Sequence, residues 1–351
     1  MQKLFIKLIR ILLSLFFFYT GLLVIFRHFR PRKGILILTY HRINETGGND
    51  PLNMTISPAD FDRHLRYLKD NYHVISLTEA ISRLEDKKSI LANSVVITFD
   101  DGYIDNYLQA YPILKKYDLP ATIFLATSPI DKGKRLLWYD EIKNIILGTS
   151  SDTLLIAERS MSLRSRVKKE KAIRQVIEYF KEIDINTQKY ILDKLRLQLS
   201  GNFVLPEVGE MLSWEQIREM KKNGISFGAH TKSHPILTRI PIEQARMEIE
   251  ESKRRIGEEL GEPVEHFAYP NGGKDDFDEN IVSILQKAGF KSACTLIPGE
   301  NRDGDLFRLK RIGIDQAFVG CNGLFTKQVF ASEIAGLFDF LLLRTWRAQN
   351  G

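Results

Sequence analysis

The feature that most constrains this chain is a recurrence. Short runs rich in apolar and β-branched residues return along it, at Ile35 to Tyr40, His73 to Leu77, Ser94 to Phe99 and Ala121 to Ala126. The series continues at Ile225 to Ala229, His266 to Tyr269, Ser292 to Leu296 and Leu309 to Ile314. Runs with so little polar alternation expect cover on both faces, which is the condition of a strand in a parallel sheet. Helical patterns separate several of them: Ser57 to Asn71, where Ser57-Pro58 reads as cap and first-turn proline, Asn106 to Tyr117, and Pro241 to Leu260. Strands alternating with helices in this number predict an α/β fold, a distorted (β/α) barrel of about seven to eight parallel strands.

Two parts of the chain break the rhythm. From about 141 to 211 there is no strong strand, only helical stretches near Ser165–Ile183 and Thr187–Leu199. A helical insertion lying over the domain as a lid is expected. Its first helix carries Arg164, Arg166, Lys168, Lys169, Lys171 and Arg174, a solvated face or a surface for anions. The other break is the N-terminus. Ile11 to Phe26 is sixteen residues without a charge, and Leu4 to Arg10 extends it. A bilayer span takes roughly 20 residues, and Lys or Arg near its end can snorkel. Residues 1–33 are therefore expected to form a single-pass membrane anchor with basic flanks. A cleaved signal peptide is the rival reading, but Arg27-His28-Phe29-Arg30-Pro31-Arg32 follows at once with no small-x-small site.

Charge placement supports this division. The net charge of +6, from 50 Lys+Arg against 44 Asp+Glu, invites a nucleic-acid partner. Residues 1–33 hold seven of the positives and no acid, so the rest of the chain carries −1. A near-neutral body has no bulk attraction for phosphate backbones, and no nucleic-acid role is expected. Three positives precede the apolar run and four follow it, so the positive-inside rule gives little orientation. The body is expected outside the cytoplasm, with the cytoplasmic face as the alternative. Cys294 and Cys321 do not make a disulfide framework. At residues 321–351 a helical stripe of Ile334, Leu337, Phe338, Leu341, Leu342 and Trp346, with Arg344 and Arg347 beside it, predicts an amphipathic helix. It either packs on the domain or lies at a membrane interface.

Three strings carry chemistry, and each follows a predicted strand, where a (β/α) barrel builds its site. Thr98-Phe99-Asp100-Asp101-Gly102 puts two carboxylates side by side; a cation bound by one relieves their repulsion and leaves the other as a base. An Asp-Asp-Gly turn is the bland alternative. His230-Thr231-Lys232-Ser233-His234 offers two imidazoles four residues apart, which converge if the backbone turns. Two histidines and one aspartate form a ligand set with open positions, suited to hydrolysis. Phe267-Ala268-Tyr269-Pro270-Asn271-Gly272-Gly273 ends a strand in a tight loop able to aim backbone N–H groups.

Together these strings resemble the polysaccharide deacetylases of carbohydrate esterase family 4, which share the NodB homology domain. The TFDDG, H-T-x-S-H and F-A-Y-P-x-G strings occur in that family's order. Tyr40-His41-Arg42, Pro120-Ala121-Thr122-Ile123-Phe124 and Leu212-Ser213-Trp214-Glu215 add to the likeness, which covers roughly residues 35 to 315 within a domain taken as 34–320. The resemblance implies that Asp101, His230 and His234 hold a divalent metal, zinc first and cobalt or nickel as alternatives. It further implies Asp100 as general base and the Asn271 backbone N–H as an oxyanion donor. Two family features are missing. Ala268 stands where many members have the arginine that orients the aspartate; Arg311, or Arg308 nearby, can fill that role from another strand. No histidine follows His266 to serve as the late proton donor, and His41, ending the first strand, is the substitute candidate, unless Asp100 returns its own proton. Trp138-Tyr139-Asp140 and Trp214 are read as sugar-stacking surfaces or as core.

The expected activity is metal-dependent N-deacetylation of an N-acetylated glycan of the cell envelope or an exopolysaccharide. The first alternative is a deacylase, removing acetyl or formyl from a lipid-linked amino sugar at the membrane surface. The second is a carbohydrate-binding protein without turnover.

Overall fold

A computed structural model describes residues 2–45, 50–86, 90–131, 136–199, 210–302, 304–315 and 326–341. Along the chain its strands are β1 (Leu36–Tyr40), β2 (Arg42–Ile43), β3 (Thr55–Ile56), β4 (His73–Val74), β5 (Ser94–Phe99) and β6 (Ala121–Leu125). They continue as β7 (Thr153–Ile156), β8 (Arg159–Ser162), β9 (Ile225–Ala229), β10 (His266–Ala268), β11 (Ser292–Cys294) and β12 (Ile312–Gly313). Eight of these form one sheet in the order β11-β10-β9-β6-β5-β1-β12, with β4 also paired to β5. Its pairings are all parallel. The sheet curls into a half-barrel surrounded by helices. One segment touches both ends of the path: Leu309 bridges to Cys294 in β11, and Ile312 pairs with Leu38 in β1.

Strand periodicity sorts the two faces of β1 and β5. Leu36, Leu38, Tyr40, Val95, Ile97 and Phe99 pack among the helices, against Phe61, Leu65 and Leu68. Ile35, Ile37 and Val96 join Phe124, Ala268, Cys294 and Leu309 in a second cluster, plugged by Leu77, Ala80 and Ile81 of the helix Leu77–Glu85. Two residues further along, that second face turns polar at Thr39 and Thr98, and two beyond Thr98 comes Asp100, all buried. The floor of the curl is thus apolar, and its polar end is where the strands stop.

Several sequence expectations need correction. The run at His73 forms only a two-residue strand, because Ser76 caps the next helix by accepting from Glu79 N. The helix expected over Asn106 to Tyr117 begins as a π-helical turn, Asn106–Ala110, before Tyr111–Tyr117; Pro112 has no N–H to give the regular ladder there. The last strand is short, Ile312–Gly313. The insertion is not wholly helical: β7 and β8 pair as an antiparallel hairpin. Its turn puts Ala157 and Glu158 at φ 46° and 63°, positions that hairpins usually give to Asn or Gly, so the sequence carries no signal for it.

The N-terminal segment forms two helices, Gln2–Tyr19 and Leu22–Phe29, bent by 88° at a break holding Gly21 at φ 76°. Among the described residues no single helix is long and apolar enough to cross a membrane; the bent pair passes that test only together. The first helix lies along the helix Thr326–Ala335. Between them Arg10 and Glu333 form a buried ion pair, with the Arg10 guanidinium 4.7 Å from the centre of the Phe338 ring. Helix Thr326–Ala335 is consequently buried from Val329 to Ala335, packed on the domain as one of its two expected placements has it, and ends at Gly336, φ 82°. Leu342, Arg344, Trp346, Arg347 and Cys321 lie outside the described residues.

Candidate metal centre

The three strings leave parallel strands at the same end of the sheet, and the backbone bends sharply at each. Asp101, Thr231, His234 and Asn271 all have positive φ, from 61° to 75°. Such conformations cost a non-glycine residue on the order of 1–3 kcal/mol and persist where the surroundings fix them. After β5, Gly102 N donates to Asp100 O and Leu212 N to Gly102 O. A Cβ on Gly102 would come within 2.8 Å of Leu125 Cδ2 at φ 84°, so this turn needs glycine. After β9, Glu248 of the helix Ile242–Leu260 accepts from Lys232 N at 2.9 Å, Ser233 N at 2.7 Å and Ser233 Oγ at 2.6 Å. That buried carboxylate clamps the turn carrying both histidines, and no sequence pattern connects it to them.

The bends bring Asp101, His230 and His234 to one point. All three are buried, with one ligand atom from each within 4.8 Å of the others. Asp101 Oδ1 lies 3.3 Å from His234 Nε2 and 3.6 Å from His230 Nε2, and has no hydrogen-bond partner of its own. The His230 Nδ1 contact to Ala268 O, at 2.7 Å, places the ring proton on Nδ1 and turns the Nε2 lone pair inward. Burial holds the His230 pKa down at about 4, so this imidazole is neutral and free to ligate at pH 7. An unpartnered buried carboxylate oxygen facing imidazole nitrogens, one of which is tautomerically fixed, fits a divalent cation.

Asp100 sits beside this point. Arg311, fully buried, grips it with Nη1 on Oδ1 and Nη2 on Oδ2, both at 2.7 Å. Arg311 Nε donates to Thr295 O at 2.9 Å, and Nη1 also reaches Thr39 Oγ1 at 3.1 Å. Burial works against ionisation of Asp100, but the Arg311 guanidinium, aided by His230 and His41, outweighs it and holds the carboxyl below its ordinary range. Arg308 instead faces Asp305 and Glu279 at the surface. His41 is partly exposed, its Nε2 4.0 Å from Asp100 Oδ2. Asn271 stands in the loop after β10, where its Nδ2 and Gly273 N both donate to Asp276 Oδ2 at 2.6 Å.

The aromatic residues read as stacking surfaces have other partners. Trp138 stacks on Phe180 at 5.8 Å and donates from Nε1 to His234 O. Tyr139 is buried and donates to Asp101 Oδ2 at 2.7 Å. Trp214 donates to Asp131 Oδ1 and lies under Arg255. In the basic helix, Arg166 pairs with Glu170 and Lys169 reaches the Leu147 and Thr149 carbonyls. Those charges finish helix ends and pair locally.

A sequence profile of the polysaccharide deacetylase family matches residues 87–293. YxkH of Bacillus subtilis (strain 168), named as a polysaccharide deacetylase, is 25% identical over 293 residues, covering 83% of this chain and 75% of that one. The poly-beta-1,6-N-acetyl-D-glucosamine N-deacetylase of Staphylococcus epidermidis is 28% identical over 110 residues, 28% of this chain and 38% of that enzyme. Two solved structures share the fold. The Streptococcus pyogenes deacetylase PplD has a TM-score of 0.56 at 23% identity, over 85% of this chain and 99% of that one. IcaB from Ammonifex degensii has a TM-score of 0.55 at 20% identity, over 86% and 97%.

Proposed function

This chain belongs to the polysaccharide deacetylase family, and from that premise we propose that it is a metal-dependent N-deacetylase of an N-acetylated glycan of the cell envelope or an exopolysaccharide. The observation that carries the proposal is the pairing of two sites: a three-ligand cluster of Asp101, His230 and His234, and next to it a carboxylate gripped by a buried arginine. A divalent ion held by those three residues, zinc in the first instance, supplies Lewis acidity and makes water a stronger acid.

The chain's own groups do the rest. Asp100 takes the proton of the attacking water as general base. Arg311 keeps both of its oxygens oriented and the carboxyl ionised, the part that Ala268 leaves vacant. The Asn271 backbone N–H donates to the developing oxyanion, a contribution typically worth about 3–4 kcal/mol in acyl transfer. Protonation of the leaving amine falls to His41, whose Nε2 lies 4.0 Å from Asp100 Oδ2, or to Asp100 returning the proton it took. Acetate and a free amino sugar leave.

A second substrate reading is supported by the N-terminus. Phe5, Leu8, Leu12, Phe16 and Tyr19 are exposed and fall within about 80° of one another on an ideal helix. Together with the basic residues before and after them they suit attachment to a membrane, and so a lipid-linked amino sugar as substrate. Acetate release by the metal-stripped, zinc-reloaded enzyme on N-acetylglucosamine oligosaccharides and on polyprenyl-linked N-acetyl sugars tests both readings. Release from the oligosaccharides is expected. Release from the lipid-linked sugar alone would favour the second reading, and none from either would overturn both in favour of binding without turnover.

A further inference from the structure

Two residues at the start of the helix Trp138–Gly148, which leads into the insertion, reach the metal centre. Tyr139 Oη donates to Asp101 Oδ2 at 2.7 Å, while Asp101 Oδ1 faces the two imidazoles. A carboxylate held through one oxygen cannot swing its other oxygen out of line without giving up that bond. The phenol is itself directed from behind. Tyr103 Oη lies 3.3 Å from Tyr139 Oη and 2.6 Å from Asp140 Oδ2. Each phenol has one proton; that of Tyr103 goes to the shorter, charged contact, and that of Tyr139 goes to Asp101.

Trp138 acts on the neighbouring ligand. Its Nε1 donates to the His234 carbonyl at 3.2 Å, and its indole stacks at 12° on Phe180 from the helix Arg166–Glu182. His234 has need of such support. Whereas His230 is fixed through Nδ1, His234 Nδ1 is buried with no hydrogen-bond partner. Its ring is oriented by edge-to-face packing on Tyr139, 5.4 Å between centres.

We infer that Trp138 and Tyr139 are positioning residues for two of the three ligands, Tyr139 for Asp101 and Trp138 for His234, with the inserted segment backing Trp138 through Phe180. The inference rests on Asp101, His230 and His234 being ligands. Outer groups of this kind typically set metal affinity by about 10–100-fold.

The test measures Zn²⁺ affinity of the full chain by competition with a chromophoric chelator, with the visible spectrum of the Co²⁺ form as a second readout. Tyr139→Phe keeps the ring and its packing and removes only the hydroxyl. Its affinity is expected to fall about 10–100-fold with an altered Co²⁺ spectrum. Tyr107→Phe, which loses a phenol bonded to Glu219, is expected to match the parent. Trp138→Phe keeps an aromatic ring on Phe180 and loses the N–H, and a fall of several-fold is expected; this variant carries the test if Tyr139→Phe does not fold. Parental affinity and spectrum in Tyr139→Phe, or in its stead Trp138→Phe, overturn the inference alone, as does an equal loss in Tyr107→Phe. A parent that binds no Zn²⁺ overturns the metal reading and the inference together.

Discussion

Asp100 and Asp101 are adjacent and chemically identical, and their environments divide them. One faces a guanidinium, the other two imidazoles and a phenol. Asp100→Asn is therefore expected to lower turnover by about 10²–10⁴-fold with zinc content unchanged by metal analysis. Arg311→Met is expected to slow turnover as well, again with zinc retained, and to destabilise the fold by about 3–5 kcal/mol by leaving a buried carboxylate unpaired. The sign of the pH effect follows. The folded pKa of Asp100 is depressed, so its stabilising contribution is present above the unfolded value of about 3.9 and is lost as pH falls through the lower folded value. In Arg311→Met burial prevails, and the acid limb of the rate profile is expected to move to higher pH; an unmoved limb would exclude Arg311 as the group that sets it. The sequence made the cluster of Asp101, His230 and His234, and Asp100 beside it, legible because each string sits at a strand end. Tyr139 and Glu248 were not legible as site residues, because their contacts join elements far apart in the chain and no spacing records them.

At the scale of elements, the strands were readable from composition: β1, β5, β6 and β9 lie where continuous apolar runs placed them. Misreadings occurred where a few local bonds decide. Ser76 turned a strand into a helix start, and Ala157 and Glu158 accepted a left-handed turn that nothing in their side chains advertises. At the terminal helices the sequence leaves two coverings open. An apolar run looks the same whether lipid or another helix covers it, and here the helix Thr326–Ala335 covers one side of the first helix. That packing has a measurable signature in the buried Arg10–Glu333 pair. Arg10→Met alone is expected to cost about 3–5 kcal/mol by stranding a buried carboxylate, while Arg10→Met with Glu333→Leu recovers most of it. Denaturant midpoints of the two variants and the parent check this, and equal midpoints would mean the helices do not pack together in solution.

Across the whole molecule, three histidines on different elements are held neutral by burial. His64 stacks on Phe330, His230 stands in the cluster with Asp101 and His234, and His266 bonds Ser292 and Thr78. Burial depresses their pKa values to about 3, 4 and 4. A folded pKa below the unfolded 6.5 means the unfolded chain binds more protons between those values, so stability rises with pH across that window. Moving the metal-free protein from pH 7 to pH 5 is expected to cost up to about 2 kcal/mol per histidine, read as a lower denaturant midpoint; a flat response would show that these rings are not held neutral. The segment Leu309–Gly313, which ties both ends of the sheet together, has a consequence for synthesis. Asp100 leaves the ribosome some two hundred residues before Arg311, so for most of translation the carboxylate has no cation to receive it. Burying it then would carry the full cost of an unpaired charge. The nascent half-barrel must stay open at that mouth, or keep Asp100 protonated, until the C-terminal strap arrives. Closure of the fold and charge compensation of Asp100 are one event, and it comes late.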